Sequence, residues 1–180
     1  MKWMWKIFKW FLIVWGAVCL LAVLLFLGCI FFPDRPVTKP VSKKNVEFVL
    51  NGCNLGDRRI EEVVHSYMST RSFTGDHLDG HAIRVSHLDA SELVDLGEGN
   101  GWYRGDTLSG VAQLAVDYTA GCLHEMPWFP TIGKIRSSSM YVYVVSITSF
   151  DVNGRQQVHT MQVIFASPDD KMIYYLELVT

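Results

Sequence analysis

The chain has 180 residues, a formal net charge of −2 and 49% hydrophobic residues, which is enough for one core and too little for several ordinary domains. Its charge is unevenly spread: residues 1–44 hold seven Lys and Arg against Asp34 alone, so residues 45–180 carry −8. That acidic balance argues against a nucleic-acid-binding or anionic-membrane surface on the larger part.

The first element is the uncharged run Trp10–Phe32. As a helix it spans roughly 34 Å, enough to cross a hydrocarbon core of about 30 Å. Ahead of it, residues 1–9 carry Lys2, Lys6 and Lys9 with Trp3 and Trp5, and Trp10 follows at the start of the run. Indole rings and snorkelling lysines of this kind suit a membrane interface. A cleaved signal peptide would have a shorter apolar run and an Ala-x-Ala-like site, which is absent. A lipoprotein signal would end at Cys29, but Phe26 and Leu27 fit that pattern poorly and the apolar run continues past it. The expectation is therefore a retained signal-anchor in the cytoplasmic (inner) membrane. The lysines before the helix and Arg35, Lys39, Lys43 and Lys44 after it nearly balance. Orientation with the C-terminal part outside the cytoplasm, periplasmic or extracellular, follows from the long domain after the helix.

Residues 33–44 contain three prolines and no apolar periodicity, and read as an extended spacer before a globular α+β domain at 45–180. Asn45–Leu50 alternates as a short strand. Between Asp57 and Thr70, Ile60, Val63, Val64, Tyr67 and Met68 fall at helical spacing and predict an amphipathic helix. Gly75 and Gly80 bracket a turn, and His81–Leu88 alternates as a strand. The stretch Gly97–Asp106 is glycine-rich, but Glu98 and the lack of a lysine make it a loop or hairpin rather than a phosphate cradle. Ser109–Gly121 fits helix and strand alike, and its β-formers between Gly110 and Gly121 favour a strand. The insert Cys122–Arg136, with Pro127-Trp128-Phe129-Pro130, reads as a loop that either packs inward or offers an aromatic contact.

The C-terminal third predicts a three-stranded meander. Asn153-Gly154 signals a two-residue hairpin, and pairing Val152 with Arg155 puts Val142, Val144 and Phe150 opposite Phe165, Val163 and Gln157. A second turn at Ser167–Asp170, pairing Ala166 with Lys171, brings Met172, Tyr174, Leu176 and Leu178 to the same face. The other face carries Tyr141, Tyr143, Val145, Ile147, Ile164, Ile173 and Tyr175, too apolar to stand in water, so the helix, another internal element or a partner covers it. Tyr141, Tyr143, Ile164, Ile173 and Tyr175, with Trp128 and Phe129, are thus the candidate partner surface. The whole reads as one amphipathic helix packed on an antiparallel sheet, a cystatin-like arrangement.

Chemistry-bearing residues are sparse. His77, His81 and His87, with Asp76 and Asp79 close by and Cys122 or His124 as further donors, are the candidate metal ligands, although His81 and His87 on one strand would stand about 20 Å apart. Cys53 and Cys122 are candidate disulfide partners; their bond would close about 70 residues and contribute on the order of 4 kcal/mol. No nucleophile motif is present, and Glu61-Glu62 and Asp169-Asp170 suit solvated positions. No cofactor is expected. The reading is a non-catalytic, membrane-tethered binding or assembly module whose partner is another membrane or envelope protein. The alternatives are a metal- or thiol-dependent activity and a structural envelope protein.

The order of the helix read at IEEVVHSYM, a glycine turn, a strand, SGVAQLAVDYTAG, MYVYVV and MIYYLELV over residues 57–180 resembles the cytochrome oxidase assembly factor 1 family. That resemblance implies a small single-span protein with an α+β domain that helps assemble a respiratory complex. The chain departs from the family pattern in the insert at 121–136 and in its Asn-Gly hairpin, and no functional residue is carried over.

Overall fold

A computed structural model describes residues 2–31, 41–56, 59–93, 101–152 and 155–180. The chain divides into two units, Met1–Arg35 and Pro36–Thr180. The first is a single helix, α1 (Lys2–Phe31). It begins upstream of the apolar run and takes in Lys6 and Lys9, and its stretch Trp5–Leu24 is long and apolar enough to cross a membrane.

The second unit is α+β. Six strands, β1 (Ile60–Met68), β2 (His77–Val85), β3 (Tyr103–Arg104), β4 (Tyr141–Val152), β5 (Arg155–Ser167) and β6 (Met172–Val179), form one antiparallel sheet. Their spatial order is β1-β2-β6-β5-β4-β3. Helices α2 (Glu47–Gly52), α3 (Gly110–Cys122) and α4 (Ile132–Ile135) complete the unit.

The meander β4-β5-β6 forms as expected, with Val152 opposite Arg155, Val142 opposite Phe165 and Val144 opposite Val163. The turn residues Asn153 and Gly154 lie outside the described residues. Irregularities after Val144 and after Thr148 cancel, so the register is shared at both ends of the hairpin. Between them Ile147 moves to the Val142 face, opposite to the side expected for it. The second turn differs by two residues: Ala166 pairs with Ile173, not Lys171. Lys171 takes a left-handed backbone (φ 52°) and its N–H donates to Pro168 O at 3.1 Å, which lengthens the loop. A slip of two preserves side-chain parity, and Tyr174, Leu176 and Leu178 still join Val163 and Phe165.

Three other expectations are corrected. Residues 60–68 are a strand, not a helix, and pair with β2 along its length. Irregularities between Ile60 and Glu62 and between Val63 and His65 each insert a residue. Ile60, Val63 and Ser66, which face Val85, Ile83 and His81, therefore recur at three-residue spacing and mimic a helical stripe. Residues 110–122 are helical, with Ala112, Ala115, Val116 and Thr119 buried at i, i+3, i+4 and i+7. Good helix formers at Ala112, Gln113, Leu114 and Ala115 outweigh the β-branched residues, and two alanines let the helix lie close to the sheet. Residues 47–52 form α2 rather than a strand, since Val46, Val49 and Leu50 are the buried set. β2 also starts earlier than expected, at His77, so Gly80 lies inside a strand. A Cβ there would collide with Met126 Sδ, and the missing side chain lets the segment after α3 rest on the sheet.

Both faces of the sheet are covered over its middle, while the far half of β4 is largely exposed. On one, α3, α4, Met126 and Phe129 cover Val142, Met161, Val163, Phe165 and Leu176. On the other, Val46, Val49, Leu50 and Cys53 of the α2 region, with Leu88 and Trp102, cover Ile83, Val85, Ile164, Ile173 and Tyr175.

Gly105 makes the tightest backbone approach in this packing. Its N–H donates to Met140 O at 2.7 Å, and a Cβ would strike the carbonyl oxygens of Ile135 and Ser137. Gly105→Ala should lower the unfolding free energy by about 2–3 kcal/mol. Gly121→Ala, whose Cβ meets nothing within 4 Å on α3, should raise it by about 0.5–1 kcal/mol. Chemical denaturation of both variants checks the pair, and a Gly105→Ala chain as stable as the parent would contradict this packing.

Candidate functional site

The face covered by α2 changes character along the strands. In β2 the alternation sends His77, Asp79, His81, Ile83 and Val85 to that face, and in β6 it sends Ile173, Tyr175, Glu177 and Val179 there. The Ile83–Val85 end meets the α2 core, whereas the other end is polar. Tyr175 marks the boundary: its ring is buried, Phe48 lies edge-on to it at 5.3 Å, and His81 stacks on it at 6.0 Å. Its hydroxyl donates to Glu177 Oε2 at 3.1 Å.

Beyond Tyr175, one donor atom each from His77, Asp79 and Glu177 lies within 4.8 Å of the other two. Asp79 and Glu177 face each other directly across β2 and β6, and His77 is two residues along β2 on the same side. His77 Nε2 is 3.9 Å from Glu177 Oε1. The opposite ring nitrogen, Nδ1, is 2.8 Å from Gly75 O. A carbonyl can only accept, so Nδ1 carries a proton, and Nε2 is the ring nitrogen turned toward Glu177. Glu177 is held in turn by Gln162 Nε2, which donates to Oε1 at 2.9 Å, and by Tyr175 at Oε2.

Asp79 is 5% exposed. Its Oδ2 receives a long contact from Arg71 at 3.5 Å, and Oδ1 is the one buried side-chain polar atom among the described residues with no hydrogen-bond partner. Burial pushes the Asp79 carboxyl above its ordinary range, against the attraction of His77 and Arg71, while Glu177 adds to the rise. A buried carboxylate oxygen without a partner is costly and calls for a donor or a cation.

The histidines singled out from the sequence separate. His77 joins this cluster. His81 is buried beside it, with Nδ1 3.0 Å from Ser66 Oγ, and burial lowers its pKa to about 4 despite the opposing pull of Glu177. It is thus a neutral packing residue at pH 7. His87 is exposed beyond the end of β2, and Asp76 is exposed in the preceding turn. His124 is exposed beside Glu125, and Cys122 packs against the core on the other face of the sheet. Glu177, about 100 residues from His77 in sequence, was not anticipated as a ligand. The signal for it was parity: it shares the Tyr175 side of a strand that is otherwise apolar on that side.

Of the candidate partner surface, Ile164, Ile173, Tyr175 and Phe129 are buried within the domain. Tyr141 and Tyr143 are half-buried against the same core, and Trp128 stacks on His65 at 5.2 Å. The internal cover anticipated for this face is supplied by the α2 region. Cys53 and Cys122 are free and belong to clusters on opposite faces of the sheet, so the pairing considered from the sequence is not made. The chain matches no protein-family model, no curated protein and no solved structure.

The Cys53 thiol is pushed up to about 12 by burial and donates to Val49 O at 3.3 Å. A thiol so placed is a poor nucleophile. In the native chain Cys53 should resist a maleimide that labels it readily in denaturant, and mobility should be the same with and without reductant. A Cys53–Cys122 peptide recovered by mass spectrometry would contradict the two-faced arrangement.

Proposed function

We propose that the chain is a single-pass membrane protein in which α1 tethers a non-catalytic binding or assembly domain to the cytoplasmic membrane, with that domain on the periplasmic or extracellular side. The observation that carries this reading is the state of α1. Over Trp5–Leu24 the mean hydropathy is 2.4, and none of the segment is buried against protein. Apolar surface of that extent needs lipid around it. Lys6 and Lys9 with Trp3, Trp5 and Trp10 near the start of the helix suit an interface anchor.

The second unit supports a binding role through its construction. The chain itself covers much of both sheet faces, and the surface left for a partner includes exposed Phe48, Phe73, Val145 and Phe150 beside polar groups. In this reading the helix of a cystatin-like arrangement would be α3, which packs on β4 and β5, in place of the helix expected at 57–70. Another membrane protein is the class of partner proposed, the same class that the resemblance to the cytochrome oxidase assembly factor 1 family implies.

Extraction and topology test the tether together. The chain should remain in the membrane fraction through alkaline carbonate, and a reporter fused after Thr180 should be active only outside the cytoplasm. Release by carbonate, or a mature chain beginning at Cys29 or later, would overturn the retained span. Cross-linking in native membranes should return a second membrane protein; recovery of the chain alone under every solubilisation condition would overturn the binding role.

A further inference from the structure

We propose that His77, Asp79 and Glu177 form a binding site for a divalent transition-metal cation of the zinc(II) class, independent of whether α1 spans a membrane. Three features separate this trio from an incidental cluster of surface charge. The donors are enclosed: the side chains of His77, Asp79 and Glu177 are 9%, 8% and 23% exposed. Two of the three arms are oriented by neighbours, His77 by Gly75 O and Glu177 by Gln162 and Tyr175, which is how ligands are held from behind in metal sites. And Asp79 Oδ1 is buried with no hydrogen-bond partner, a vacancy in bonding that a cation fills.

The donor set selects the ion. One imidazole nitrogen with two carboxylates suits borderline ions such as zinc(II), with cobalt(II), nickel(II) and manganese(II) as close competitors. Calcium takes six to eight oxygens and magnesium keeps most of its water, so an imidazole arm argues against both. The soft ion copper(I) favours sulfur, and neither Cys53 nor Cys122 belongs to the trio. Three protein ligands leave at least one position for water.

The scaffold fixes the backbone and leaves the side chains to adjust. In a tetrahedral site with bonds of about 2.1 Å, donors stand roughly 3.4 Å apart. Here they lie within 4.8 Å, so closure needs side-chain rotations that move donors by on the order of 1 Å. Arg71 does not bar this, since its side chain is 62% exposed and its contact with Asp79 is long.

The test uses the full, untagged chain in detergent, stripped with chelator and titrated with zinc(II) chloride alone by equilibrium dialysis and calorimetry. The expected result is one zinc per chain and a rise in thermal midpoint on binding. Asp79→Asn, nearly the same shape, and His77→Ala should each weaken binding at least about 100-fold, and Gln162→Ala about tenfold. His87→Ala and His124→Ala should leave it unchanged. Circular dichroism of the stripped variants guards against loss of fold, and Asp79→Asn should melt no lower than the stripped parent. Folded parent chain that retains no zinc would overturn the proposal. So would zinc binding that survives Asp79→Asn and His77→Ala but is lost in the His87 or His124 variants.

Discussion

The structure depends on a sheet that must be covered on both sides. β4 and β5, of 12 and 13 residues, pair along their length and carry apolar side chains on both faces. A strand pair of this kind cannot leave one face in water, as many antiparallel sheets do. Everything else in the second unit answers that demand. α3, α4 and the Met126–Phe129 segment close one face, and the short α2 with the residues around it closes the other.

The polar trio sits where one of those covers stops. α2 reaches as far as Tyr175, where Phe48 meets the ring, and the strands continue beyond it. Past that limit the same side of β2 and β6 turns largely polar, and His77, Asp79 and Glu177 occupy it beside Val179. The trio is enclosed enough to leave the Asp79 carboxyl largely dehydrated. Its geometry follows from strand register, the most rigid feature of the domain, and not from a loop. His81 and Tyr175 line the step from the core to the polar trio, which explains why a neutral, buried histidine stands next to His77.

How much of this was legible in the sequence varied with the kind of signal. The Asn-Gly hairpin and the alternation around it revealed the meander and most of its faces, because parity survives a register slip of two; Ile147, between two irregularities of β4, is the exception. The helix at 57–70 failed for a definable reason. Two inserted residues in β1 turned a period of two into an apparent period near three, and periodicity alone cannot separate that from a helical stripe. The segment 110–122 failed in the opposite direction. Val111, Val116 and Tyr118 suggested a strand, while Ala112 and Ala115, which decide the close approach to the sheet, carry little hydrophobic weight by themselves. Within the site, His77 and Asp79 lay among the residues considered, but Glu177 required knowing that β6 pairs with β2 across a sequence separation of about 100 residues.

The most direct test of the account is the neighbourhood of Asp79 in solution, read by nuclear Overhauser effects on the isotopically labelled full chain in micelles. Central placement of β2 predicts backbone cross-peaks from Asp79 to both Met68 of β1 and Glu177 of β6. Those two contacts fix the order of three strands, the strand nature of 60–68 and the meeting of the trio. Cross-peaks within 60–68 at helical i, i+3 spacing, with none from Asp79 to Glu177, would contradict the sheet and the site together.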